Sequence, residues 1–266
     1  MTRALDCVAP LFVPGHRPDR FAKAAASGAD AVIIDLEDAV PADAKEAARA
    51  NIRADLDAPV IVRVNGPGTP WWDGDLAAVA SLPLAGIMVP KAATGVPEAL
   101  SGRGITVPVL ALIETARGLA DARRLAATPP VGRLAFGSVD YCAELGLAHE
   151  RDPLLAARSE IVLASRLAGL PPPLDGVTTA LGDDGAAGAD ARYARSLGFG
   201  GKLCIHPRQT GAVLVGFSPS AEDVAWAEKV LSSGDGAVAV DGSMVDEPVR
   251  IRARAILSRA EARSRG

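Results

Sequence analysis

Residues 31–38 read AVIIDLED, an apolar run that leads directly into three carboxylates, those of Asp35, Glu37 and Asp38. Ionised groups are costly to remove from water, so this pattern predicts a buried strand whose end meets solvent or a positive charge. A short apolar run followed by a longer stretch of helical period recurs, in all, eight times along the chain. The stretch is therefore one copy of a strand–helix unit.

The predicted strands are short and apolar, and helix-like stretches rich in Ala, Arg and Leu separate them. They are residues 9–15, 31–37, 59–65, 86–90, 106–114, 132–140, 173–179 and 201–207. Strands of this kind joined by crossover helices indicate a parallel sheet buried on both faces. Eight units in about 210 residues favour a closed (β/α)8 barrel. An open Rossmann-type sheet would have a glycine-rich turn after its first strand, and residues 13–19, VPGHRPD, contain one glycine.

The chain continues beyond the eighth unit. We assign residues 1–217 to the barrel and residues 218–266 to a C-terminal extension. The extension is predicted to form a helix, a short hairpin that turns at Asp241–Gly242, and a final amphipathic helix. We expect it to pack on the barrel or on a neighbouring subunit.

Composition narrows the class of protein. The 266 residues are 49% hydrophobic with a formal net charge of −4, which argues against nucleic-acid or anionic-membrane binding. Cys7, Cys142 and Cys204 are far apart in sequence, which favours reduced thiols in the cytoplasm over disulfides. The N-terminus lacks a long apolar segment and no apolar run approaches about 18 residues, so we expect neither an export signal nor a membrane span.

Polar side chains stand at or just after the end of each predicted strand. In a (β/α)8 barrel these ends converge on one rim, where the reactive groups lie. The candidates are Arg17, Asp35, Glu37, Asp38, Arg63, Lys91, Glu114, Asp140, Thr178, Thr179 and His206.

Two of these carboxylates, Glu114 and Asp140, end neighbouring strands. Oxygen ligands of this kind suit Mg²⁺, which keeps several waters and needs one or two protein carboxylates. Alternation along the second strand places Asp35 and Glu37 on one face, with Asp38 on the other or in the loop. We expect these acids to face the cation and its water; the alternative is an ion pair with Arg63 on the next strand.

Basic side chains offer anion sites. The planar guanidinium of Arg63 suits a substrate carboxylate. Arg17, Arg20 and Lys23 surround the start of the first helix, where a phosphate could bind. The alternative for this basic turn is simple solvation.

The chain resembles a known family in several segments taken in order. They are LFVPGHRPDRFAKAAASGADAVIIDLEDAV, VRVN, MVPK, ALIETARGL, AFGSVDYCAELG, GKLCIHPRQ and GSMVDEPV. These segments are similar to the citrate lyase beta-subunit-like branch of the HpcH/HpaI aldolase family, in the phosphoenolpyruvate/pyruvate barrel superfamily. The resemblance covers nearly the whole chain.

The resemblance implies a magnesium-dependent carbon–carbon lyase acting on a 3-hydroxyacyl thioester such as citryl-, malyl- or citramalyl-CoA. It implies that Glu114 and Asp140 bind Mg²⁺ and that Arg63 grips the substrate carboxylate. Glu37 and Asp38 fall at positions that bind metal-bound water. The remaining implied roles are CoA phosphate contacts for Arg17 and Lys23, and proton transfer in a neighbouring subunit's site for Asp246. A homotrimer or hexamer is the implied assembly.

Two other functions stay open. A CoA-independent pyruvate or oxaloacetate aldolase of the same superfamily would use a histidine base in the first loop, where His16 lies. A catalytically silent metabolite-binding subunit is the other. The acyl group, and the choice between CoA and acyl-carrier protein, are also open.

Overall fold

Eight parallel strands form the framework of the computed structural model, which describes residues 5–234, 236–240 and 242–264. The sheet order follows the chain from β1 to β8. The ends meet because Phe12 N–H donates to Cys204 O at 2.9 Å and Cys204 N–H donates to Pro10 O at 2.9 Å. The strands are β1 Leu11–Pro14, β2 Val32–Asp35, β3 Val60–Arg63, β4 Gly86–Val89, β5 Val109–Ile113, β6 Val131–Phe136, β7 Leu174–Asp175 and β8 Gly201–Lys202. The predicted (β/α)8 barrel is confirmed.

Apolar side chains from around the sheet fill the barrel. One buried cluster draws on every strand from β2 to β7, and Phe12 of β1 packs against it. Its members include Ile33, Ile61, Leu110 and Leu112. Burying each such side chain contributes about 1.5–3 kcal/mol, so the barrel interior is a packed core that supports the rim.

Helices follow the strands and cover the sheet. Thr115 caps α5 by accepting from Gly118 N–H, and Asp183 caps α8 by accepting from Gly185 and Ala186 N–H, as helix starts prefer. The helices are α1 Phe21–Ala25, α2 Lys45–Ala50, α3 Trp72–Val79, α4 Val96–Gly102, α5 Ala116–Ala126, α6 Ser138–Leu145, α7 Arg151–Leu167, α8 Asp184–Leu197 and α9 Pro207–Phe217.

The strands are shorter than predicted, and the sixth prediction was wrong at its end. Residues 132–140 were expected to be one strand, but β6 stops at Phe136. Gly137 (φ −89°, ψ 69°) leaves the extended conformation and α6 begins at Ser138. Asp140 therefore stands in the first turn of a helix instead of at a strand end.

Residues from Val215 onward form a second compact unit. They contain most of the predicted extension: α10 Ala221–Ser232, the antiparallel strands β9 Val238–Val240 and β10 Ser243–Val245, and α11 Glu247–Ser264. A capping box of Ser220 and Asp223 starts α10. In the predicted hairpin turn, Asp241 lies outside the described residues, and Gly242 has φ 78°.

Candidate metal and substrate site

The candidate site is built on an ion pair between Asp35 and Arg63. They end the adjacent strands β2 and β3 and are paired in register. Arg63 Nε donates to Asp35 Oδ1 at 2.6 Å and Nη2 donates to Oδ2 at 2.7 Å, with Asp35 1% exposed. Asp35 also accepts from the Glu37 and Ala39 amides. Burial opposes its charge, but Arg63 and these hydrogen bonds hold the pKa of Asp35 below its ordinary value. Asp35 is thus an ionised anchor for the arginine.

The acids of the DLED stretch gather around Arg63. Because β2 ends at Asp35, strand alternation does not extend to Glu37 and Asp38, which lie in the following loop. Arg63 Nη1 lies 3.1 Å from Glu37 Oε2 and 3.4 Å from Asp38 Oδ2. Its guanidinium also lies over the Phe12 ring, 4.8 Å from the centroid. The expectation that all three acids face a cation was therefore wrong for Asp35, where the alternative, pairing with Arg63, holds.

Lys45 on α2 fixes the loop that carries Glu37, a role that sequence reasoning missed. Its buried Nζ donates to Leu36 O at 2.6 Å, Glu37 O at 2.7 Å and Asn65 Oδ1 at 2.7 Å. The signal was available, since Lys45 and Ala48 are three residues apart on the buried face of α2. An apolar helix face that includes a lysine predicts a buried ammonium with acceptors.

Glu114 follows β5 and is 1% exposed. Its Oε1 accepts from Lys91 N–H at 2.7 Å, whereas its Oε2 is buried without a hydrogen-bond partner. A Cβ at Gly137 would lie 2.5 Å from that Oε2, so only glycine fits opposite it. Burial first, then the charge of Glu37, raises the pKa of Glu114 to about 8. A buried carboxylate oxygen without a donor fits a cation ligand.

The negative charge of Asp140 also raises the pKa of Glu114. Asp140 is exposed in the first turn of α6, where a carboxylate is favoured by the helix dipole. Among the described residues, no three His, Cys, Asp or Glu side chains group as a metal site. Two carboxylates remain, which fits Mg²⁺ because that ion completes its shell with water and substrate oxygens.

Lys91 connects two of the acids and departs from ordinary backbone geometry. It follows β4 with φ 48°, the left-handed region. Its Nζ donates to Glu37 Oε1 at 2.7 Å and lies 4.0 Å from Glu114 Oε1. Although burial opposes its charge, Glu37 raises the pKa of Lys91 above its ordinary value. The site is therefore a mixed cluster of acids and cations.

A serine–histidine contact adjoins this cluster and was also missed. Ser138 Oγ lies 2.8 Å from His149 Nε2, and Ser138 directly follows Gly137. Burial first, then the charges of Arg158 and Lys202, lowers the pKa of His149. No sequence spacing signals this contact, because the histidine comes from the α6–α7 loop.

The predicted phosphate contacts lie at the surface near the start of α1. Arg17 donates to Asp19 through Nε at 3.0 Å and Nη2 at 2.9 Å. Lys23 is exposed in the last turn of α1. His16, in the first loop, has a buried Nδ1 without a hydrogen-bond partner.

Other candidates have structural contacts. Thr178 Oγ1 donates to Asp190 at 2.8 Å, and His206 Nδ1 accepts from Arg208 N–H at 3.2 Å. Asp246 lies in the second unit just before α11, where its Oδ1 accepts from Val249 N–H at 3.3 Å. Asp246 thus acts as a helix cap in the structure. Cys7, Cys142 and Cys204 are buried and free. No helix in the described ranges is long and apolar enough to span a membrane.

Comparisons with known proteins identify the family of this chain. Residues 9–207 match the model of the HpcH/HpaI aldolase/citrate lyase family. A citrate lyase subunit beta-like protein of Deinococcus radiodurans is 41% identical over 274 residues, covering 93% of this chain and 95% of that protein. A (3S)-malyl-CoA thioesterase of Cereibacter sphaeroides is 35% identical, covering 95% and 94%.

A solved structure is similar over the whole length. It is the CitE protein of Mycobacterium tuberculosis in complex with magnesium, acetoacetate and coenzyme A. It has a TM-score of 0.87 and 38% identity, covering 97% of this chain and 99% of that one. The barrel, the acid cluster and the matches over nearly the entire chain lead to one assignment. The chain belongs to the HpcH/HpaI aldolase/citrate lyase family.

Proposed function

We propose that this protein is a magnesium-dependent carbon–carbon lyase that cleaves, or in reverse forms, a 3-hydroxyacyl-CoA thioester such as malyl-, citramalyl- or citryl-CoA. The observation that carries the proposal is the buried Oε2 of Glu114, which lacks a donor and faces Gly137. The family match, and the complex of the CitE relative with magnesium and coenzyme A, support the same chemistry.

Glu114 and Asp140 would hold the ion. When bound, Mg²⁺ polarises the oxygens of the hydroxy acid and fixes their orientation. Glu114 is suited to this because Lys91 N–H already holds its Oε1, leaving Oε2 for the ion. Asp140 brings a second carboxylate from α6.

Arg63 would grip the substrate carboxylate. Asp35 fixes the guanidinium through Nε and Nη2, which leaves the Nη1 side directed at the loop acids. An arginine already held in place loses little freedom when it binds a carboxylate. Glu37 and Asp38, whose carboxylates lie 3.1 Å and 3.4 Å from Nη1, would accept hydrogen bonds from water around the ion.

The cleavage moves protons twice. A base takes the proton of the 3-hydroxyl, the C2–C3 bond breaks, and its electron pair forms the thioester enolate, which a proton at C2 converts to acetyl-CoA. We assign that proton to Asp246 of a neighbouring subunit, with the C-terminal extension packing against that subunit in a homotrimer or hexamer. Arg17 and Lys23 would contact the CoA phosphates. The free, buried cysteines fit a cytoplasmic location.

A substrate panel tests the proposal. Malyl-, citramalyl- and citryl-CoA, together with the corresponding free acids, are incubated with the purified protein and Mg²⁺. We expect acetyl-CoA from at least one thioester. Cleavage of a free acid alone would support the aldolase alternative, in which His16 is the base. Cleavage of none would support a non-catalytic metabolite-binding subunit.

A further inference from the structure

We propose that Lys91 is the positioning residue that sets both Glu37 and Glu114, through its side chain and its main chain respectively. The inference deepens the proposed function and rests on it for the role of these acids in turnover. Lys91 Nζ donates to Glu37 Oε1 at 2.7 Å, and Lys91 N–H donates to Glu114 Oε1 at 2.7 Å.

The carboxylates of Glu37 and Glu114 are bonded in the same pattern. Each has its Oε1 bound by Lys91, and each has a buried Oε2 without a hydrogen-bond partner. Glu37 Oε2 lies 3.1 Å from Arg63 Nη1 as an ion pair only. Glu37 and Glu114 are 7% and 1% exposed. One residue therefore orients two buried carboxylates, leaving Oε2 of Glu114 available to the bound ion and directing Oε2 of Glu37 at Arg63.

The backbone of Lys91 supports this assignment. Its φ of 48° makes it the single non-glycine residue with positive φ among the described residues. Such conformations are strained for residues with a side chain and persist where the surroundings require them. A glycine would adopt this φ freely, but it would lack the ammonium that reaches Glu37. Lysine serves both contacts from one position.

The side-chain contact is tested with Lys91→Met. This variant keeps the amide that holds Glu114 but loses the ammonium. We expect kcat to fall about 10-fold to 100-fold, because a misplaced Glu37 carboxylate slows the reaction by about this factor. KM should change little. Removing a cation 4.0 Å from Glu114 does not weaken attraction for a second cation, so Mg²⁺ affinity by calorimetry should be kept or improved. Lys91→Arg should recover part of kcat by donating to Glu37.

The main-chain contact is tested with Lys91→Val against Lys91→Gly. Both lose the ammonium, but the β-branched valine resists positive φ whereas glycine adopts it freely. We expect Lys91→Val to bind Mg²⁺ at least about tenfold more weakly than the wild type, because losing a group that holds a metal ligand in place typically lowers metal affinity by this much. Lys91→Gly should bind Mg²⁺ as tightly as Lys91→Met does. Thermal unfolding checks that all variants are folded.

The two proposals fail in different ways. A wild-type protein that cleaves no thioester overturns the proposed function, whereas the calorimetric contrast between the valine and glycine variants needs no substrate. Equal Mg²⁺ affinity in those two variants would overturn the main-chain role. A Lys91→Met enzyme with wild-type kcat, whether or not it binds Mg²⁺ more tightly, would show that Lys91 only neutralises the acids.

Discussion

Arg63 and Asp35 face each other at the ends of β3 and β2, joined by hydrogen bonds of 2.6 Å and 2.7 Å. Both are largely buried, with side-chain exposures of 11% and 1%. A two-point pair of this kind fixes the plane of the guanidinium. Asp35 therefore sets the orientation of Arg63, which is proposed to bind the substrate carboxylate, although Asp35 itself need not contact the substrate.

Breaking this pair should destabilise the fold. Asp35→Asn keeps the side-chain size but leaves Arg63 buried without its main counter-charge, and we expect the free energy of unfolding to fall by about 3 kcal/mol. The pKa of Asp35 is lowered, so its contribution is present above its ordinary value of 3.8 and is lost as the pH falls through the lower folded pKa. Denaturant unfolding at neutral and acidic pH measures both effects. Asp19→Asn, in the exposed pair with Arg17, is the control and should show no measurable change.

Magnesium binding should depend on pH through Glu114. Its pKa is raised to about 8, so at neutral pH the metal must displace a proton from this carboxyl. The apparent affinity should therefore rise by about tenfold per pH unit below 8 and level off above it. Calorimetry in buffers of different ionisation enthalpy measures the released proton. An apparent Mg²⁺ affinity that does not change with pH would show that the ion does not displace a proton from Glu114.

Gly137→Ala should disturb the site through a single methyl group. The added Cβ would lie 2.4 Å from Glu114 Cβ and 2.5 Å from its Oε2, so Glu114 must move. We expect loss of Mg²⁺ binding and a stability loss of about 1–3 kcal/mol, as overpacking costs. Gly182→Ala is the matched control, since a Cβ there meets nothing within 4 Å. Wild-type Mg²⁺ affinity in Gly137→Ala would mean that Glu114 Oε2 does not hold the ion.

Asp246→Asn separates proton transfer from helix capping. Asparagine caps helices about as well as aspartate, so the contact with Val249 N–H and the unfolding midpoint should be kept. If Asp246 supplies the proton, kcat should fall by about 100-fold or more while Mg²⁺ affinity stays unchanged. Equal losses in turnover and metal binding would show that this acid is wrongly assigned.

The sequence predicted the fold because its signal is repeated. Eight apolar runs at regular spacing specify eight parallel strands, and each predicted strand has a counterpart. Strand ends were less predictable. Val139 continues the apolar pattern, but Gly137 turns the chain and α6 begins at Ser138. Asp140 therefore lies in a helix and not in the predicted strand.

The site was predictable in its members more than in its contacts. Strand ends located Arg63 and Glu114, because the fold alone brings them to one rim. Which acid pairs with Arg63, and what Lys91 holds, depends on distances across the barrel between residues far apart in sequence. His149 was missed for a different reason, since its contact with Ser138 depends on a loop conformation that no spacing encodes.

Under the proposed mechanism, Glu114 binds a magnesium ion that thioester cleavage requires. The decisive experiment measures acetyl-CoA release from the best thioester substrate, with and without chelator, in wild type and Glu114→Gln. We predict that chelator abolishes release by the wild type, that added Mg²⁺ restores it, and that Glu114→Gln stays folded but inactive at Mg²⁺ concentrations that saturate the wild type. Chelator-resistant release, or a Glu114→Gln enzyme that responds to Mg²⁺ as the wild type does, would show that cleavage does not depend on Mg²⁺ held by Glu114.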